Sequence, residues 1–140
     1  MGLPGSGKST LAEPFAQLIG GVWLNADQVR EEYNDWDFSP EGRIRQANRM
    51  RHLADGVVKA GKIAVADFVC PTEKAREAFA ADYVVWMNTI KQGRFDDTNK
   101  MFEPPTHYNY HVSSWFDDTP AQLSQVVANY IKRHGNIKNN

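Results

Sequence analysis

The first ten residues, Met-Gly-Leu-Pro-Gly-Ser-Gly-Lys-Ser-Thr, constrain this chain more than any other stretch. Gly2, Gly7, Lys8 and Ser9 fill every fixed position of the pattern G-x-x-x-x-G-K-[ST], which builds a cradle for phosphate. A tri-anion is held by several backbone N–H groups aimed at one point, and a backbone bent that far takes angles that a Cβ obstructs. Gly2, Gly5 and Gly7 relieve that obstruction. The N-terminus of the following helix adds partial positive charge and unpaired amides. Lys8 then reaches the β- and γ-phosphates, and the Ser9 hydroxyl ligates Mg²⁺. The spelling predicts an ATP-binding loop formed by Gly5, Ser6, Gly7, Lys8, Ser9 and Thr10. A glycine-rich turn matching by chance is the alternative, and the amphipathic helix directly after the loop disfavours it. Such a loop emerges from a buried β-strand. Here only Met1 precedes it, so the first strand is expected to be missing or truncated.

Taken in order, the chain alternates helices with strands. Leu11, Phe15, Leu18 and Ile19 recur at helical spacing from Lys8 to about Ile19, where Gly20-Gly21 stops the run. Pro14 forfeits one hydrogen bond inside this helix and crowds the Thr10 carbonyl, which predicts a kink. Val22-Trp23-Leu24 reads as a short buried strand ending in Asn25-Ala26-Asp27, then a short helix carrying Val29 and Arg30, then a loop from Glu31 to Asp37. Ser39-Pro40 is a cap followed by a first-turn proline. It opens a long helix to about Ala60 with Ile44, Ala47, Met50, Ala54, Val57 and Val58 inward. Ile63–Asp67 suits a parallel strand covered on both faces. A helix over Glu73–Ala80, a strand at Tyr83–Met87, a polar loop from Asn88 to Pro105 and a last strand at Tyr110–Ser114 come next. The stripe Leu123, Val126, Val127, Tyr130 and Ile131 marks a final helix ended by Gly135, with a frayed tail. This alternation predicts one α/β domain over residues 1–140, a three-layer sandwich around a mainly parallel sheet of the P-loop NTPase type. Ligands of such sheets gather at the carboxyl ends of the strands, where the loop, Asp27, Asp67–Cys70 and Asn88–Arg94 would meet.

Composition narrows the function classes. With 16 basic residues against 17 acidic ones, no global field argues for nucleic acid or a membrane. A single cysteine excludes an internal disulfide and suits a reducing compartment. The longest apolar stretches fall far short of the ~20 residues a membrane span needs. The expectation is a cytoplasmic enzyme acting on a small molecule, with a homodimer left open.

Phosphoryl transfer needs positioning, charge neutralisation and a group that takes the nucleophile's proton. Asp27, just past the second strand, is the candidate base; capping the helix at Gln28–Tyr33 is its other reading. Asp67 closes an apolar strand, the generic P-loop pattern of an acid that holds Mg²⁺, and a turn-capping aspartate is the alternative. Arg43 and Gln46 share a helix face and, with Arg30, make a candidate clamp for an anionic acceptor. The run Arg43, Arg45, Arg49 and Arg51 also reads as a solvated basic face. The four histidines show no metal spacing, Cys70 is by default a small buried side chain, and Phe38, Phe68, Phe95 and Phe102 are core candidates.

Together these residues resemble the adenylylsulfate (APS) kinase family. Gly2–Thr10 matches its loop, and Leu24-Asn25-Ala26-Asp27-Gln28-Val29-Arg30 is similar to its Leu-Asp-Gly-Asp-Asn-[IV]-Arg motif. The family's proposed base falls on Asp27 and its substrate-binding arginine on Arg30. Phe38-Ser39, Arg43 and Gln46 fall on its Phe-Ser segment and on the arginine and asparagine beyond it. Phe68-Val69-Cys70-Pro71 resembles its substrate-touching Phe-Ile-Ser-Pro. Phe102-Glu103-Pro104-Pro105 is similar to the Tyr-Glu-x-Pro after its lid, which opens here near Arg94, grouped with the nucleotide-binding residues. The resemblance implies Mg-ATP-dependent phosphorylation of the 3′-hydroxyl of APS, with Lys8 and Asp27 catalytic, Ser9 at the metal, and Arg30, Phe38, Arg43, Gln46, Phe68, Val69 and Cys70 binding substrate. Asn25 replaces the family's first aspartate, Gln46 its asparagine and Cys70 its serine; the lid between Arg94 and Phe102 is shorter, and Lys100 and Phe95 are its nearest counterparts. Polynucleotide 5′-kinases share Leu24–Arg30 nearly as well, and Arg43–Arg51 would then track a phosphate backbone. A nucleotide-binding module without turnover is the third reading.

Overall fold

The structure, a computed structural model, describes residues 1–138 other than residue 94, with side chains to residue 134. Gly7, in the left-handed region at φ 96°, opens α1 (Lys8–Ile19), and Gly20 closes it at φ 66°. Next come β1 (Val22–Asn25), α2 (Ala26–Tyr33), α3 (Pro40–Lys59), β2 (Ala64–Asp67) and α4 (Glu73–Phe79). The second half holds β3 (Val85–Met87), α5 (Asp96–Met101), β4 (Tyr110–Val112) and α6 (Thr119–Lys138).

The strands pair in parallel, as the alternation predicts, in two separate ladders. β1 lies on β2 with Asn25 opposite Asp67, and β3 lies on β4 with Met87 opposite Val112. Met1 and Gly2 run beside β3: the Met1 amine donates to the Val85 carbonyl at 2.8 Å, Met87 N–H donates to the Met1 carbonyl at 2.8 Å, and Gly2 bridges Met87. A Cβ on Gly2 would stand 2.4 Å from the Met87 carbonyl oxygen, so this close approach requires glycine. Burial, and then the charge of Lys8, pull the Met1 amine down to about 5.

Two apolar clusters hold the elements together. Leu11, Phe15, Met87, Val112, Leu123 and Val127 join α1 and α6 to the β3–β4 ladder. Ala26, Val29, Ala47, Met50, Phe68, Cys70 and Ala75 join α2, α3 and α4 at the end of β2. This is the α/β layering of a P-loop NTPase-type fold. Among the described residues no helix is long and apolar enough to cross a membrane.

Several local expectations change. Residues 64–66 are half-buried instead of covered on both faces, because β2 has a single hydrogen-bonded neighbour. Helix α2 reaches Tyr33, into the stretch expected to be a loop, and Asn34 ends it at φ 49°. Residues 96–101, polar but for Met101, form α5 inside the expected Asn88–Pro105 loop. Val58, Val126 and Ile131, expected inward, face solvent, as do Phe38 and Phe95. Gly135 does not stop α6, which continues to Lys138.

Candidate active site

The phosphate loop takes the shape its glycines permit. Gly5 at φ 87° and Gly7 at φ 96° occupy the region where a Cβ is strained. Gly7 caps α1 without a side-chain hydrogen bond, so the first amides of the helix face the loop's concavity. Thr89 Oγ1 donates to the Ser6 carbonyl at 2.7 Å and braces the loop from the end of β3. Ser6 Oγ points inward, buried and without a partner, so Ser6 contributes backbone and not hydroxyl to the concavity. Lys8 Nζ folds back onto the Leu3 carbonyl at 3.0 Å. Thr10 is exposed in the first turn of α1.

Beside the loop, the parallel register brings one buried carboxylate to the helix start. Ser9 Oγ donates to Asp67 Oδ2 at 2.7 Å; Asn25 Nδ2 at 3.2 Å and Trp23 Nε1 at 3.3 Å donate to the same oxygen. Asn25 Nδ2 also lies 3.3 Å from Ser9 Oγ. Asp67 is 4% exposed, yet among the described residues Ser6 Oγ is the one sealed side-chain polar atom lacking a partner. Asp67 Oδ1, which accepts no hydrogen bond among the described residues, is therefore not fully sealed. A hydroxyl and one carboxylate beside a phosphate cradle suit Mg²⁺, which takes few protein oxygens and completes its shell with phosphate and water. Among the described residues no group of three His, Cys, Asp or Glu side chains could hold a metal by itself.

Asn25 also settles the capping alternative. Its Oδ1 accepts from Gln28 N–H at 3.0 Å, so Asn25 caps α2 and Asp27 does not. Asp27 stands exposed in the first turn, two residues past the end of β1.

Two buried arginines gather around Phe38. Arg30 is 3% exposed and Arg43 9%, and their guanidinium carbons lie 4.4 and 4.9 Å from the centre of the Phe38 ring. Arg30 Nη1 donates to the carbonyls of Asp35 and Asp37; Arg43 Nε donates to the Phe38 carbonyl and Nη2 to Thr98 Oγ1 at 2.8 Å. Among the described residues no carboxylate is hydrogen-bonded to either. Desolvation, then the charge of Arg30, pulls the Arg43 guanidinium below its ordinary value; desolvation does the same to Arg30. Neither has a sealed, unpartnered N–H, so their remaining donors reach accessible space. Two buried guanidiniums with N–H donors to spare suit an anionic oxygen, although the charges of Asp35, Asp27 and Asp37 act on Arg30 from nearby.

The other arginines of the run are committed elsewhere. Arg45 pairs with Asp35 and Asp37, Arg49 with Asp35, and Arg51 with Asp55. Gln46 is buried, its amide donating to the Ala26 carbonyl at 3.1 Å and accepting from Arg49 at 2.8 Å. That ties the start of α2 to α3. Phe68 turns into the core, edge-on to Phe79 at 5.2 Å, and Val69 is half-buried. Cys70 is buried at φ 48°, and desolvation pushes its thiol up to about 12, so no thiolate nucleophile forms there. Lys100 and Phe95 are exposed. Arg94 lies outside the described residues. Sequence reasoning missed Thr98, a short polar residue in a polar stretch, and Arg76, which binds the carbonyls of Cys70, Pro71 and Glu103 and so holds the β2 turn against the end of α5.

A glycine cradle opening a helix at the carboxyl edge of parallel strands, beside a hydroxyl–carboxylate pair, defines a P-loop nucleotide-binding protein. The family model for adenylylsulphate kinase matches residues 1–89, from the loop past β3, and the chain belongs to that family. The chloroplastic adenylyl-sulfate kinase of Catharanthus roseus is 26% identical over 170 residues, covering 98% of this chain and 54% of that protein. The adenylyl-sulfate kinase of Staphylococcus epidermidis is 36% identical over 86 residues, covering 57% of this chain and 43% of that protein. The chain thus spans about half the length of these curated relatives. In fold it is similar to the Mycobacterium tuberculosis APS kinase CysC, solved with AMPPNP and APS, at a TM-score of 0.71, 17% identity and 94% coverage of each chain.

Proposed function

We propose that this chain is an ATP-dependent kinase that transfers the γ-phosphoryl group of ATP to the 3′-hydroxyl of adenosine 5′-phosphosulfate. The observation that carries the reading is the Arg30–Phe38–Arg43 cluster, two buried guanidiniums to which no carboxylate among the described residues is hydrogen-bonded, in a chain that also builds a phosphate cradle. That pairing of sites fits a phosphoryl donor at one and an anionic acceptor at the other. A solved structure of similar fold, at 17% identity, holds a nucleotide analogue together with APS.

In this reading the amides at the start of α1 and Lys8 hold the ATP phosphates, and Ser9 and Asp67 hold Mg²⁺. When bound, the ion offsets phosphate charge. Arg30 and Arg43 grip the acceptor's phosphosulfate and so fix where its ribose lies. Asp27 accepts the proton of the attacking 3′-hydroxyl as the oxygen–phosphorus bond forms and ADP departs. Gln46 acts through the start of α2, which it ties down.

The polynucleotide alternative needs the Arg43–Arg51 run on a phosphate backbone, but Arg45, Arg49 and Arg51 are paired with aspartates. Purified chain given Mg-ATP with APS, with a 5′-hydroxyl oligonucleotide, or with no acceptor separates the readings through ADP release. ADP that depends on APS alone is expected. Dependence on the oligonucleotide, or ATP binding without turnover, would overturn the proposal.

A further inference from the structure

We propose that Thr98 is a specificity-determining residue of the acceptor site, orienting the Arg43 guanidinium and donating its own hydroxyl hydrogen to the bound oxyanion; this rests on the acceptor reading above. Helix α5 spells Asp-Asp-Thr-Asn-Lys-Met and buries one residue, Thr98, at 4% exposure. A polar helix that buried a side chain for stability alone would bury it on an apolar cluster. Thr98 instead meets the guanidinium of Arg43, at 2.8 Å.

Three contacts define the orientation of that guanidinium. The Phe38 ring lies at 4.9 Å, the Phe38 carbonyl takes Nε at 3.3 Å, and Thr98 Oγ1 takes Nη2. Of the five guanidinium N–H donors two are spent, leaving three for a ligand. The Thr98 hydroxyl accepts from a cation, which polarises its O–H, and that hydrogen has no acceptor in the protein among the described residues. An anionic oxygen lodged against Arg43 would receive it, as a charge-assisted hydrogen bond.

The helix is held where this requires. Before it, the Asn99 side-chain amide pairs with both the N–H and the carbonyl of Gly93, at 2.7 and 3.1 Å, and Gly93 packs against Pro4 of the phosphate loop. After it, Glu103 N–H donates to the Pro71 carbonyl at 2.7 Å, and the Glu103 carboxylate accepts from Glu73 N–H at 3.0 Å. Thr98 is therefore anchored from both the loop side and the β2 side of the site.

The test compares wild type, Thr98→Val, Thr98→Ser and Arg43→Ala, each saturated with Mg-ADP so that the phosphate loop is filled. Inorganic sulfate is titrated in by calorimetry. Wild type is expected to bind sulfate and Arg43→Ala to lose it. Thr98→Val, of the same shape, should bind about tenfold more weakly, and Thr98→Ser within about twofold of wild type. In turnover, Thr98→Val should raise the acceptor KM with kcat and the KM for ATP unchanged. If Thr98→Val binds sulfate as wild type does, Thr98 has only a structural role and the inference fails while the acceptor reading stands. If wild type with a filled loop binds no sulfate, the acceptor reading fails and carries the inference down with it.

Discussion

In the proposed reaction Asp27 and Asp67 have different tasks, the first at the acceptor's proton and the second at the metal. Asp27 is exposed and does not cap α2, a task that Asn25 takes; Asp67 is buried and takes three donors on one oxygen. Replacing Asp27 with asparagine is expected to lower kcat by at least about 100-fold, with ADP affinity within about twofold of wild type. Single-turnover rates alongside calorimetric ADP binding check this, and undiminished turnover would remove Asp27 from the chemistry. Asp67→Asn should instead weaken ADP binding in Mg²⁺ by about tenfold and leave the metal-free affinity unchanged; equal losses with and without the ion would contradict the metal role. The loop was legible at this scale, because its spacing alone dictates its shape. The destinations of Asn25, Phe68 and Gln46 were not. They depend on partners such as Gln28, Phe79 and Ala26, and for Phe68 and Gln46 these are brought close only by packing.

Among the elements, the turn from α2 to α3 decides which arginines remain for a ligand. Asp35 accepts from Arg45 and Arg49, and hydrogen bonds from Ser39 and then Arg45 hold the Asp37 carboxyl down to about 2. Asp35 lies below the ordinary carboxylate range too, chiefly through Arg45. A folded-state value below the unfolded one means that the stabilisation is complete above the ordinary 3.8 and is lost as pH falls through about 2. Asp37→Asn should therefore flatten the decline of Tm between pH 4 and pH 2, modestly, because such pairs are exposed. Parallel profiles for variant and wild type would refute this. Helical spacing showed a basic stripe and offered a solvated face or a nucleic-acid track. It did not show that Asp35 and Asp37, written in a presumed loop, turn back to neutralise Arg45 and Arg49 while Arg30 and Arg43 face inward. The α5 helix was not legible because five polar residues and a single methionine carry no hydrophobic period.

Over the whole molecule, alternating strands and helices announced a parallel α/β layering, and the structure has it. That the strands form two ladders reflects hydrogen bonds between segments far apart in sequence, which periodicity does not encode. Met1 and Gly2 tie the β3–β4 ladder to the phosphate loop, and the fit at Gly2 admits no side chain. Gly2→Ala should lower stability by about 2 kcal/mol or more, several degrees in Tm. An unchanged melting curve would show that this junction does not set the loop's position.

The central claim is that the loop and the arginine pair bring a phosphoryl donor and an anionic acceptor face to face. The most direct measurement tracks the γ-phosphate itself, with ATP labelled there and APS or its 3′-deoxy analogue offered to the chain. The label is expected on the APS-derived product and absent when the 3′-hydroxyl is missing. Label released only as inorganic phosphate, or transferred equally to the 3′-deoxy analogue, would contradict the account.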